Sequence, residues 1–133
     1  MNRPLPIAAA LALAALVGCT DGKSLTERGD ANRWALENAR DVGAPEDCVV
    51  RRNIRHTVTL DDRTIDFHMT GGRILRNRLP FACPGLAFDD SFSYRTSLDR
   101  LCSVDTITVR RSGGPPGPTC PLGRFQPVEI ARR

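Results

Sequence analysis

Apolar residues along this chain follow three successive spacings. From Ile7 to Val17 they form one unbroken run. From Ala31 they recur at helical spacing, as Ala31, Ala35, Leu36, Ala39 and Val42. After Cys48 they alternate with polar residues. The second pattern predicts a helix over 30–43, begun by Asp30 and stopped by Gly43 and Pro45. Ser24 and Glu27 have capping-box spacing, but Gly29 follows at once and makes Asp30 the better N-cap. Trp34 sits beside the apolar stripe and is expected to pack this helix onto the domain.

The third pattern predicts strands. Ile54, Val58 and Leu60 alternate with Arg55, Thr57 and Thr59; Ile65, Phe67 and Met69 alternate with Thr64, Asp66 and His68. A two-residue turn at Asp61-Asp62 would pair Val58 with Ile65, His56 with Phe67 and Arg55 with His68, gathering the apolar sets on one face. Gly71-Gly72 makes the next turn. A three-residue loop with a glycine bulge puts Leu75 and Leu79 on the apolar face, whereas a two-residue turn would put Arg76 and Arg78 there at a high desolvation cost. Further strands are expected around Phe92 and Tyr94, over Val104 to Arg111, and over Phe125 to Ile130. Gly113 to Pro118 can only be an exposed loop. The fold class is therefore mainly β: a small antiparallel barrel or sandwich of five to six strands (48–131), with one N-terminal helix and two disulfides.

The first apolar run has eleven residues, too few to span a bilayer, for which ~20 are needed. Its basic start at Arg3 and small residue Gly18 fit a secretory leader. Leu16-Val17-Gly18-Cys19 resembles the lipobox of bacterial lipoproteins. That resemblance implies a signal peptide over 1–18, a diacylglyceryl group on the Cys19 thiol, and a lipidated tether over 19–29. It also implies export to the cell envelope. Thr20, where enterobacterial lipoproteins retained at the inner membrane carry Asp, points to the outer membrane, facing the periplasm.

Composition narrows the function classes. Nineteen basic against 15 acidic residues leave a net charge of +4, dispersed along the chain, which makes no case for a nucleic-acid partner. Besides Cys19, the cysteines are Cys48, Cys83, Cys102 and Cys120, an even number that suggests two disulfides with three connectivities open. Gaps of 35, 19 and 18 residues do not suit a four-cysteine zinc site. Strand direction in a simple meander favours Cys83–Cys102 and Cys48–Cys120.

Leu60-Asp61-Asp62-Arg63-Thr64-Ile65-Asp66-Phe67, Leu79-Pro80, Cys83-Pro84-Gly85-Leu86, Leu101-Cys102-Ser103-Val104-Asp105 and Cys120-Pro121-Leu122-Gly123-Arg124-Phe125 together resemble a family of small exported proteobacterial proteins of unknown function. The resemblance covers Cys48 to about Val128 and brings no catalytic residues with it.

Candidate chemistry is sparse. His56 and His68, the only histidines, are expected on opposite faces and so not to share a metal. Asp66 and His68, two apart on one strand, could act as a hydrolase's general base, with a polar cross-strand cluster as the plainer reading. Asp61-Asp62 and Asp89-Asp90 read as turn residues, with calcium the lesser alternative. Arg51, Arg52, Arg73, Arg76, Arg78, Arg110 and Arg111 could form a basic face toward anionic envelope lipids. No nucleophile elbow, phosphate-binding glycine loop or cofactor motif occurs. The sequence points to a non-enzymatic envelope lipoprotein that binds a partner protein or an envelope component, held to the membrane by its N-terminal lipid. The alternatives are a periplasmic hydrolase using Asp66 and His68 and a binder of anionic lipids through the arginines.

Overall fold

In the computed structural model, which describes residues 24–96 and 98–133, the chain enters a helix immediately after Ser24. The lipobox, the leader and residues 19–23 of the expected tether lie outside the described residues, while the rest of that tether, 24–29, caps and begins the helix. Helix α1 runs Leu25–Glu37, not 30–43. Ser24 and Glu27 close a capping box: the Ser24 hydroxyl accepts from the Glu27 N–H at 3.2 Å, and the Glu27 carboxylate accepts from the Ser24 N–H at 2.9 Å. Such a cap contributes ~1 kcal/mol, enough to offset the similar cost of Gly29 inside an exposed helix. At the other end Asn38 caps the helix, because Ala39–Asp41 is drawn into a sheet as strand β1. Trp34 does tie the helix down, its indole N–H donating to the Ala131 carbonyl at 3.0 Å.

The strands that follow are β2 (Cys48–Val50), β3 (Ile54–Asp61), β4 (Thr64–Met69) and β5 (Ile74–Arg78). A four-residue helix α2 (Leu86–Asp89) precedes β6 (Phe92–Tyr94), β7 (Arg100–Cys102), β8 (Thr106–Val109), β9 (Thr119–Pro121) and β10 (Phe125–Ile130). They form three antiparallel sheets. The largest has the order β1-β10-β5-β4-β3, and the others are β2-β7 and β6-β8-β9. The mainly β, antiparallel class and the N-terminal helix agree with the sequence. The strands number ten because β1, β2, β7 and β9, three residues each, are too short to display an alternation.

Ile65, Phe67, Leu75 and Phe125 on one face of the large sheet meet Leu101, Ile107 and Val109 from the two small sheets in one fully buried cluster. Phe67 packs edge-on to Phe125 with ring centroids 5.3 Å apart. The loop Thr70–Gly72 has three residues, with Gly71 and Gly72 both at positive φ, and it sets Phe67 opposite Leu75. Leu75 and Leu79 are buried, as expected.

The disulfides are Cys48–Cys102 and Cys83–Cys120, which corrects the expected Cys83–Cys102 and Cys48–Cys120. The reason is topological. Cys48 begins not the long first strand of a meander but a separate short strand, and β2 pairs with β7 so that Cys48 faces Cys102 directly. Cys83 and Cys120 are both buried, and their bridge ties the segment before α2 to β9. Two such bridges belong to an oxidising, exported setting. Among the described residues no helix is long and apolar enough to cross a membrane.

Candidate functional site

The outer face of the large sheet is shaped by a register different from the one expected. Asp61 pairs with Thr64, and the turn falls on Asp62-Arg63, because the Asp61 carboxylate accepts the Arg63 N–H at 2.8 Å. Register shifts at Leu60 and again at Arg55 each absorb one residue. Val58 therefore opposes Asp66, Thr57 opposes Phe67, and His56 opposes His68. The expected pairs His56–Phe67 and Arg55–His68 do not form. The slip by one leaves Val58 on the outer face without exposing it fully, because α1 lies over that face.

Beside the Trp34 bond, two polar contacts dock α1 on this face. Asn32 donates to the Thr59 carbonyl at 3.1 Å, and Arg76 donates to the Ala35 carbonyl at 3.1 Å. Ala35 lies in the last turn of the helix, where carbonyls lack intrahelical partners, so the guanidinium satisfies a group that would otherwise be orphaned. Arg76 also holds Asp66 through two bonds: Nε to Oδ1 at 2.7 Å and Nη2 to Oδ2 at 2.9 Å. Both side chains are almost wholly buried, at 3% and 1% exposure, so each charge depends on the other. Arg76 is buried despite the desolvation cost because Asp66 faces it directly across β4 and β5.

His56 and His68 stack on the same face, with ring centroids 4.4 Å apart and planes 14° from parallel, which corrects their expected separation to opposite faces. Burial lowers the His68 pKa below 6.5; the neighbouring His56 lowers it further, and the Asp66 carboxylate opposes the shift. His68 is thus held neutral near pH 7.

Between α1 and this face runs a groove of about 390 Å³. Ala31 and Ala35 form one wall, Val58 and Leu60 the other, and Asp66 and His68 reach into it from β4. Arg28 of α1 and Asp90, just past α2, bring it two further charges. The volume falls in the range of small-ligand sites. Larger hollows beside Asp62 and beside Gly72 are more open to solvent and gather fewer groups able to do chemistry. A helix over 30–43 leaves Arg28 outside it, so the sequence gives Arg28 no place in the groove. Once α1 begins at Leu25, Arg28, Ala31, Asn32 and Ala35 fall on one helical stripe.

The seven arginines considered for an anionic surface divide. Arg73 pairs with Glu46, Arg76 with Asp66, and Arg78 with Asp41. Arg51 lies 5.7 Å over the Tyr94 ring, and Arg52, Arg110 and Arg111 are exposed. Among the described residues no group of three His, Cys, Asp or Glu side chains is placed to hold a metal. Comparison with known proteins found no matching family, no matching curated protein and no matching solved structure.

Proposed function

We propose that this chain is a lipid-anchored protein of the bacterial cell envelope that binds a ligand without transforming it, through the groove beneath α1. The anchor rests on Leu16-Val17-Gly18-Cys19 at the end of a short apolar run. Only a thiol forms the thioether, and each buried methylene of the added chains contributes ~0.8 kcal/mol of membrane affinity. Thr20 after the cysteine favours the outer membrane, facing the periplasm, and the two disulfides suit that compartment. The resemblance to small exported proteins agrees with the same address.

Binding rather than hydrolysis is carried by one observation. The Asp66 carboxylate, which a hydrolase would need beside His68, spends both oxygens on Arg76. In a His–Asp base the carboxylate orients the imidazole through a hydrogen bond. Asp66 makes no such bond to His68, its hydrogen bonds going to Arg76, and His68 is left stacked on a second imidazole.

Growth with an alkyne-tagged palmitate tests the anchor. The protein should take up label and sediment with membranes, while Cys19→Ala should be unlabelled and soluble. A wild-type protein that is unlabelled and soluble overturns the anchored reading.

A further inference from the structure

The groove beneath α1 holds two charges that have no ion-pair partner among the described residues, and they are of opposite sign. One is the Arg28 guanidinium, on the helix; the other is the Asp90 carboxylate, beyond α2. Neither belongs to any salt bridge among the described residues, with each other or with another group. The remaining charged pair in the groove, Asp66 with Arg76, is closed on itself, and His68 is neutral near pH 7. What a ligand meets is therefore an apolar wall of Ala31, Ala35, Val58 and Leu60 with one cation and one anion set apart at its margin.

Asp90 is also the only non-glycine residue with a left-handed backbone among those described, at φ 45°. It is exposed, accepts no hydrogen bond through its side chain, and leaves its carboxylate free for a ligand.

We propose that the groove binds a short peptide of apolar residues with both ends free. The terminal carboxylate would pair with Arg28, the terminal ammonium with Asp90, and the side chains would cover the alanine and valine wall. An extended di- or tripeptide separates its termini by roughly 7–10 Å. Termini of opposite sign match the two unpaired groups that line the groove. A simple carboxylate would leave Asp90 unused, and a simple amine would leave Arg28 unused. The inference rests on the reading of this groove as a binding site and adds the chemistry of its occupant.

Isothermal titration of the full-length, oxidised protein in detergent at pH 7.5, with the dipeptide Leu-Leu as probe, tests it. Saturable binding is expected. Arg28→Gln and Asp90→Asn should each weaken it about tenfold, the energy of one charge-assisted contact. Both positions are exposed, and Asn tolerates the left-handed backbone, so both variants should fold. N-acetyl-Leu-Leu should bind about tenfold more weakly than Leu-Leu and be indifferent to Asp90→Asn, while remaining sensitive to Arg28→Gln. Ala31→Leu, which fills the groove from an exposed helix, should abolish binding. Absence of saturable heat overturns the proposal. So does acetylated peptide or hexanoate binding as tightly as Leu-Leu, or binding that survives Ala31→Leu. The anchor is read separately from palmitate uptake, so a failed titration with a labelled protein removes the peptide alone.

Discussion

Asn77 shows how much one buried amide can demand of its neighbours. Its side chain donates to the Gly123 carbonyl at 2.7 Å and accepts the Gly123 N–H at 2.8 Å, so the two residues close a reciprocal pair. A Cβ on Gly123 would overlap the carbonyl oxygen of Arg78, which is backbone and cannot swing aside. Gly123→Ala should therefore destabilise the fold by roughly 2–4 kcal/mol, a backbone clash joined to a broken buried hydrogen-bond pair. A urea titration measures it, and a change within 0.5 kcal/mol, the usual size of a neutral surface substitution, would refute the packing argument. His68 carries the second expectation at this scale. Its folded pKa lies below the unfolded value near 6.5, so between the two values the unfolded chain binds more protons. This contribution is intact above about pH 6.5 and is lost as pH falls from there through the depressed folded value. The groups around His68 are His56 across from it, Asp66 held by Arg76, and Arg28 and Asp90 along the groove. The urea midpoint should drop more between pH 7.5 and 5.0 in the wild type than in His68→Gln. An equal drop in both would show that His68 is not the group responsible.

Helix α1 and its clamp are the instructive element. Asp66→Asn leaves Arg76 buried beside a neutral partner and should cost about 3–5 kcal/mol. Replacing both residues with apolar ones of similar volume should cost less than either single change, a comparison that denaturation of the three variants settles. Ser24→Ala should cost ~1 kcal/mol, through the capping box alone. The strong periodic elements were legible from the chain: β10 spans Phe125–Ile130 as the alternation indicates, and the three-residue glycine loop follows from keeping Leu75 inward. The groove was not. It needs the helix to start at Leu25, which turns on Ser24 and Glu27 outweighing Gly29. It also needs a hairpin slipped by one residue, which turns on a single Asp61 carboxylate reaching the Arg63 N–H. Both are contests between effects of about 1 kcal/mol, and a hydrophobic pattern does not decide contests of that size.

At the scale of the whole molecule the disulfides hold three small sheets around one core. On the chain-entropy account, loops of 54 and 37 residues each contribute about 4 kcal/mol. The double change Cys83→Ala with Cys120→Ala should lower stability by about 2–5 kcal/mol and leave Cys48 linked to Cys102 in unreduced peptide maps. Recovery of Cys48 joined to any other cysteine in the native protein would contradict the strand pairing. The connectivity was hidden because it depends on β2 and β7, three residues each, finding one another across the chain.

The two bridges also interleave: the loop closed by Cys83 and Cys120 begins inside the loop closed by Cys48 and Cys102 and ends outside it. Any single protease cut between Cys48 and Cys120, including one in the exposed Gly113–Pro118 loop, leaves both fragments covalently joined. Helix α1 lies outside that span. A cut between Asp41 and Cys48 would leave it no covalent tie to the rest, held by Trp34, Asn32, Arg76 and the pairing of β1 with β10. Nicked in the body, the protein survives as one piece; nicked at this neck, one wall of its groove stays only by non-covalent contacts.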